Sequence, residues 1–376
     1  MNLMTKLKEA PMLYLSGGSK ELFHSNFLYW LGVNYRDSFQ ELMTRMCSIN
    51  AQWPQGWTLR REYRHLDLCV TYKDCAFIII ENKVKSLPDL TQLRRYEQVF
   101  KNHNDGCTYV VLSLVKDFPG QKYLNENTCW QIHHYDELAE LIRDYCPDNS
   151  IRQEHRPYIH DYCLFVENLS KLAETWTFDK LSPFLSQCDN LHELRLNDIY
   201  EKIRYAQIAS MLAEKLKSGM INDSDEERVI LGMSNIDVIL RRRKDADEIL
   251  AFYGCPEAKP FQQVFISSGM SHGVGLVEAK VKITNDCCLV VQVQGNHYCH
   301  AIESEGITHK KLSELPNRFL DFKIGGLKDG NNKADSRTCS YQANFLYKWQ
   351  KIQPLTLVED IVEAVYNDLI EIMMLK

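Results

Sequence analysis

The chain has 376 residues, with 44 Lys and Arg against 50 Asp and Glu, a formal net charge of -6 and a hydrophobic share of 45%. That length is enough for two domains or one large one, and the composition is that of a folded globular chain rather than a disordered one. The acidic balance excludes a protein that coats nucleic acid nonspecifically, but it leaves room for one charged groove. No apolar run reaches bilayer-spanning length, and Met1 to Lys8 lacks the apolar core of a signal peptide. The thirteen cysteines are scattered with no Cys-x-x-Cys pair, which reads as reduced thiols in a cytoplasmic protein.

In chain order, Ser16-Gly17-Gly18-Ser19 reads as a turn, with Ser19 placed to cap a helix from Lys20 to about Met46. Phe23, Phe27 and Trp30 make its apolar stripe, whereas Glu21, His24, Ser25 and Leu28 share another face. A Glu and a His near a helix start fit a metal site. A solvated Glu beside a carbonyl-bound His is the reading that spacing alone favours, with the metal site left open.

After a turn at Trp53 to Trp57, the segment from Thr58 to Tyr72 reads as extended. Leu66, Leu68, Val70 and Tyr72 alternate, so Asp67 projects to the opposite face with His65 and Cys69. Arg61-Glu62-Tyr63 runs so closely into Asp67 that one bent strand and two short strands are both open. Lys73-Asp74 is a tight turn. The continuous apolar run Cys75 to Ile80 is a strand buried on both faces, and it ends in Glu81-Asn82-Lys83.

Glu81 and Lys83 are two apart and project to one side. A carboxylate beside a wall of isoleucines needs a partner. A divalent cation held by Asp67, Glu81 and the Asn82 carbonyl would supply one, because Mg²⁺ takes oxygen ligands and keeps several waters. Lys83 would then orient water or stabilise charge on a phosphate. The same residues also fit two exposed strand-end acids salt-bridged to Lys83.

Ser86 is placed to cap a second helix, with Pro88 and Asp89 in its first turn. Gln92 and Tyr96 share a face of it, with Arg94, Arg95 and Lys101 nearby. Thr108 to Leu114 and Cys129 to Ile132 read as strands, and Asp136 to Tyr145 as a closing helix. This order predicts an α/β layer with a mixed sheet.

The series Asp67 … Glu81-Asn82-Lys83 … Gln92-x-x-x-Tyr96 resembles the PD-(D/E)XK nuclease superfamily. It looks most like the branch with an Ile-Glu-Asn-Lys strand end, here Ile80 to Lys83, and a Gln-Leu-x-Arg-Tyr helix, here Gln92 to Tyr96. The stretch Glu21 to Leu31 is similar to the first-helix motif of that branch, and Gln-x-x-x-Tyr is similar to the feature of RecB-like and lambda-exonuclease-like nucleases. Leu66 stands where the superfamily's name implies a proline. The resemblance covers residues 1–150 and implies a restriction-endonuclease-like α-β-β-β-α-β core. It further implies Mg²⁺- or Mn²⁺-dependent hydrolysis of phosphodiester bonds, in DNA ahead of RNA, in repair, restriction or phage defence. Under it, Asp67, Glu81, Lys83 and Glu21 are the catalytic residues. Asp67, Glu81 and Asn82 hold the metal, and Gln92, Tyr96 and His24 position substrate.

Residues 151–225 read as a helical connector, with helices at Pro157 to Trp176 and Leu191 to Ser218. Residues 226–376 read as a β-rich accessory domain with a last helix from Thr356 to Met374. Its strands are Val229 to Leu231, Val238 to Leu240, Gln263 to Ile266, Gly275 to Ile283, Cys287 to Gln294 and Tyr298 to Ile302. This part is expected to select substrate, bind a partner protein or form a homo-oligomer. Arg241-Arg242-Arg243-Lys244 reads as a solvated charge cluster, and His297-Tyr298-Cys299-His300 as no shared metal site, since a strand sends alternate side chains to opposite faces. The alternative to a nuclease is a catalytically inactive protein of the same fold that binds nucleic acid or protein.

Overall fold

The computed structural model describes residues 2–16, 21–101, 106–116, 118, 120–176, 179–185, 189–219, 229–232, 264–271, 273–284, 287–304, 317–327, 338–341 and 345–374. The chain forms two compact units, Met1–Trp176 with Asp189–Tyr200, and Thr177–Cys188 with Glu201–Lys376. Among the described residues, no helix is long and apolar enough to cross a membrane.

The first unit opens with helices α1 (Leu3–Glu9), α2 (Pro11–Leu15), α3 (Glu21–Asn34) and α4 (Arg36–Met46). The rod expected from Lys20 to Met46 is therefore two helices, divided at Tyr35 (φ -133°, ψ 62°). No glycine or proline marks that break. The Tyr35 hydroxyl lies 2.6 Å from His155 Nδ1 and accepts from the Arg152 amide at 3.3 Å, so a tertiary contact fixes the corner. Ser19, the expected cap, lies outside the described residues.

Next come β1 (Thr58–Tyr63), β2 (Leu66–Tyr72) and β3 (Cys75–Lys83), an antiparallel meander. β1 and β2 are distinct strands, which answers the question that their close spacing raised. Tyr63 pairs with Leu66, leaving Arg64 (φ 55°) and His65 (φ 68°) as a two-residue turn. The Lys73-Asp74 turn repeats this geometry, with Tyr72 paired to Cys75. Two left-handed residues match the right-handed twist of the flanking strands.

α5 (Leu90–Lys101), β4 (Thr108–Ser113), α6 (Gln121–Asn127), β5 (Trp130–His134), α7 (Tyr135–Tyr145) and α8 (Arg156–Glu174) follow. The sheet order is β1-β2-β3-β4-β5, with β4 parallel to both β3 and β5. This mixed five-stranded sheet has the α-β-β-β-α-β order expected, with α6 added. Ile78, Ile79 and Ile80 are fully buried, as a central strand flanked on both edges requires. Gly32 allows α3 to lie close on β1, because a Cβ there would stand 2.2 Å from Leu59 Cδ1. The start of α3 lies beside the end of β3, where Asn82 Nδ2 meets Ser25 Oγ at 2.9 Å.

α9 (Asp189–Glu193) and α10 (Asn197–Gly219) replace the single helix expected from Leu191 to Ser218, with Arg195 between them at φ 53°. In the second unit, β6 (Val229–Gly232), β7 (Val264–Ser271), β8 (Val274–Thr284), β9 (Cys287–Gln294) and β10 (His297–Ser304) fall on the strands predicted there. β11 (Cys339–Tyr341) and β12 (Phe345–Lys351) were not anticipated, because Phe345 to Lys351 mixes aromatic and basic residues without clean alternation. The described order is β11-β12-β10-β9-β8-β7-β6, antiparallel except for β6 with β7. The C-terminal helix Val358–Met374 buries Val358, Ile361, Val365 and Leu369 in that unit's core. The strand expected at Val238 to Leu240 and the basic run Arg241 to Lys244 lie outside the described residues.

Candidate active site

The end of β3 places three polar side chains in the interior: Glu81 is 3% exposed, Asn82 0% and Lys83 4%. Strand alternation sends Glu81 and Lys83 one way and Asn82 the other, and the hydrogen bonds follow that split. Lys83 Nζ donates to Glu81 Oε1 at 3.0 Å and to Gln92 Oε1 at 2.8 Å. Gln92 Nε2 donates to the same Glu81 oxygen at 2.8 Å and to the Tyr96 hydroxyl at 3.0 Å. The Tyr96 hydroxyl donates in turn to the His65 carbonyl at 2.9 Å. Both ends of the Gln92 amide are thus specified, since Lys83 can only donate and an ionised Glu81 can only accept.

The consequence for Glu81 is asymmetric. Oε1 takes two donors, whereas Oε2 is buried with no hydrogen-bond partner among the described residues. A bare, buried carboxylate oxygen costs free energy unless a cation faces it.

Asp67 on β2 turns toward the same place. Its Oδ2 accepts from the Asn82 backbone amide at 2.7 Å. Burial first, and then the Glu81 carboxylate, push its pKa up to about 7. Burial raises Glu81 as well, against the pull of Lys83. For Lys83, burial acts to lower the pKa, but the carboxylates of Glu81, Glu21 and Asp67 outweigh it and the ammonium is held above its ordinary value. Lys83 therefore stays charged at neutral pH.

Glu21, the first residue of α3, belongs to the same electrostatic neighbourhood. Its Oε1 accepts from the Ser86 hydroxyl at 2.7 Å and from the Lys85 amide at 3.2 Å. Ser86 does not cap α5. That helix begins at Leu90, and the Asp89 carboxylate accepts from the Gln92 amide at 2.8 Å. Capping by Asp89 fixes the turn on which Gln92 sits.

The Asn82 side chain faces away from Glu81. Its Nδ2 donates to Ser25 Oγ at 2.9 Å, and its Oδ1 accepts from the Tyr135 hydroxyl at 2.8 Å. Ser25 stands on the helix face that sequence spacing groups with Glu21. Tyr135 had no local signal, because it reaches the site only through the packing of α7. His24 is 1% exposed, with Nδ1 3.0 Å from the Tyr162 hydroxyl and its ring 4.7 Å from that of Tyr135. Burial lowers its pKa to about 3, so it is neutral. It lies behind Asn82 in an aromatic layer and is enclosed away from bulk solvent, so it has no surface to offer a substrate.

Asp67, Glu81, Lys83, Gln92 and Tyr96 are thus drawn together, with Glu21 at their edge. Among the described residues, no group of three or more His, Cys, Asp or Glu is arranged to hold a metal ion. The site instead offers a pair of carboxylates, Asp67 and Glu81, one with a bare oxygen. That donor set suits an oxygen-seeking divalent cation that keeps several waters.

A family profile described as the PD-(D/E)XK nuclease superfamily matches residues 12–231, more than half of the chain. No curated protein and no solved structure matches it significantly. The matched segment contains every residue of the site just described. The chain belongs to the PD-(D/E)XK nuclease superfamily, and membership supports a nuclease-type function.

Proposed function

We propose that this nuclease-superfamily protein hydrolyses phosphodiester bonds in DNA with the help of Mg²⁺ or Mn²⁺ held by Asp67 and Glu81. The observation behind the reading is the bare Oε2 of Glu81, buried beside a charged lysine and a second carboxylate. Those residues fit a divalent ion, with the Asn82 carbonyl as a further oxygen. Such an ion, when bound, lowers the pKa of coordinated water and draws charge from a phosphate.

The protein's own groups do the rest. Lys83 is tethered at both sides, to Glu81 and Gln92. As a fixed ammonium it cannot take a proton, so its role is to hold the attacking water or to stabilise negative charge on the phosphate. Gln92 and Tyr96 keep Lys83 and Glu81 in register with each other, and Tyr96, 3% exposed, does so without touching substrate. Glu21 supplies a carboxylate that can receive a proton from water at the edge of the site. Asn82, held by Ser25 and Tyr135, fixes Asp67 through its backbone amide. His24 supports this arrangement from behind.

The test is cleavage of linear, circular and single-stranded DNA and of RNA, with Mg²⁺, with Mn²⁺ and with chelator, beside Glu81→Gln and Lys83→Ala. The expected result is metal-dependent DNA cleavage lost in both variants, and Mn²⁺ binding by calorimetry lost in Glu81→Gln alone. Metal-independent cleavage, or full activity in both variants, would overturn the reading. Nucleic-acid binding without cleavage or Mn²⁺ binding would favour an inactive binding module.

A further inference from the structure

An open groove of about 820 Å³ lies between α3 and the β1–β2 hairpin. Asn26 and Tyr29 line it from the helix, and Arg60, Arg61, Tyr63 and Arg64 from the hairpin. Both walls begin at the site already described. α3 starts with Glu21, and Asn26 and Tyr29 follow on the same helix. On the other wall, the Arg64-His65 turn presents the carbonyl that Tyr96 donates to, and Asp67 comes two residues later. Both walls of the groove thus belong to elements that also carry a site carboxylate, α3 with Glu21 and the β1–β2 hairpin with Asp67.

Its chemistry runs against the acidic balance of the chain as a whole. Three arginines face a single lining acid, Glu62. Arg61 lies with Cζ 4.7 Å from the Tyr29 ring centroid, and its Nη1 is bonded to Asn26 Oδ1. Arg64 has Cζ 5.4 Å from Tyr63 and 5.7 Å from Phe100. Arg60 also lies over Tyr63, with Cζ 4.9 Å from the ring centroid, but it is paired with Asp74, so Arg61 and Arg64 are the two ring-packed arginines of the groove with no ion pair among the described residues. A guanidinium plane laid on an aromatic ring offers donors to phosphate and a flat face to an unstacked base. Alternating basic and aromatic side chains along a groove suit a single strand, whose bases are free to stack. A duplex keeps its bases inside and could use only the charges.

We propose that this groove binds a single-stranded stretch of nucleic acid and leads it to the carboxylates; the inference rests on the nuclease reading of that site. Arg61 and Arg64 would contact phosphates, and Tyr29 and Tyr63 would form the stacking platform.

The experiment is fluorescence anisotropy with labelled oligo-dT and with a duplex of equal length, in chelator so that no cleavage occurs. The wild type is expected to bind the single strand more tightly than the duplex. Arg61→Ala/Arg64→Ala should weaken single-strand binding about tenfold or more and flatten the log-log salt dependence by about 1.4, at about 0.7 per lost phosphate contact. Tyr29→Leu should weaken it without changing the salt dependence. Both arginines are exposed, and an unchanged melting curve serves as the folding control. With Mg²⁺, the double variant should raise KM for single strands and keep kcat. Equal or tighter duplex binding, or wild-type affinity in the double variant, would overturn the groove assignment. If cleavage persists while affinity is unmoved, the groove falls and the nuclease reading stands. If cleavage is absent while affinity responds, the reverse holds.

Discussion

Gln92 Oε1 accepts from Lys83 Nζ at 2.8 Å while the other end of the same amide donates to Glu81 at 2.8 Å. One neutral side chain thus spans the two charges on which the site depends, and its two ends cannot be exchanged. Replacing Gln92 with Glu puts an acceptor where Glu81 needs a donor, and Gln92→Ala leaves Lys83 with Glu81 alone. Both variants should fold. We expect kcat to fall about ten- to hundredfold in Gln92→Ala, the scale of one or two charge-assisted hydrogen bonds, and further in Gln92→Glu. Steady-state kinetics on a DNA substrate check this, and a KM effect without a kcat effect would contradict it.

Asp67 sets a pH dependence of stability. Its pKa in the fold is about 7 against an ordinary 3.8, chiefly through burial and then through Glu81. Between those values the folded chain holds a proton that the unfolded chain has released. Stability contributed at this residue therefore falls as pH rises through that window. Asp67→Asn should melt higher than wild type without metal at about pH 8, with the gap closing toward about pH 4. Mn²⁺ should raise the wild-type midpoint more at about pH 8 than at about pH 6, and leave the variant unmoved. Differential scanning calorimetry over pH measures both.

His24 has the opposite sign. Burial holds its pKa at about 3, below the ordinary 6.5. Its unfolded form is protonated in that interval and its folded form is not, so stability is full above the unfolded value and is lost as pH falls from 6.5 toward about 3. His24→Phe should flatten the acid-side loss seen in denaturant titrations. It should also add a pH-independent cost of about 1 kcal/mol from the stranded Tyr162 hydroxyl.

The second unit has its own buried polar centre. Asp368, 1% exposed, accepts from the Tyr298 hydroxyl at 2.6 Å and the Gly326 amide at 2.7 Å, and lies 2.6 Å from His300 Nε2. The other nitrogen of His300 donates to the Phe319 carbonyl at 2.7 Å. Removing the carboxylate strands these donors together. Asp368→Ala should cost about 3–5 kcal/mol, the scale for breaking a buried pair. Urea denaturation reads the loss, and a cost near zero would show that the cluster is not a structural lock.

The α-β-α-β order of the first unit was legible from local pattern, but α1, α2, α6 and the division of β1 from β2 were not. β3 announces itself because a central strand is apolar on both faces, and Lys73-Asp74 marks the β2–β3 turn, whereas Arg64-His65 holds no Gly, Asn or Asp to mark a left-handed turn and left that division open. Other features had no local cause. The corner at Tyr35 depends on His155, and β12 has too mixed a face to stand out. The late start of α5 depends on Asp89 rather than Ser86, which Glu21 claims.

The sequence by itself determined which residues stand at the end of β3 and which way each side chain projects, because strand alternation is a property of the backbone. It also determined that Gln92 and Tyr96 share a face, because helix periodicity is. Tertiary structure alone decided which oxygen of Glu81 is left bare, that Asn82 turns its amide toward Ser25 and Tyr135, and that His24 is enclosed. Those outcomes depend on hydrogen-bonding groups arriving from α3, α5 and α7, and no spacing within β3 specifies what packs against it.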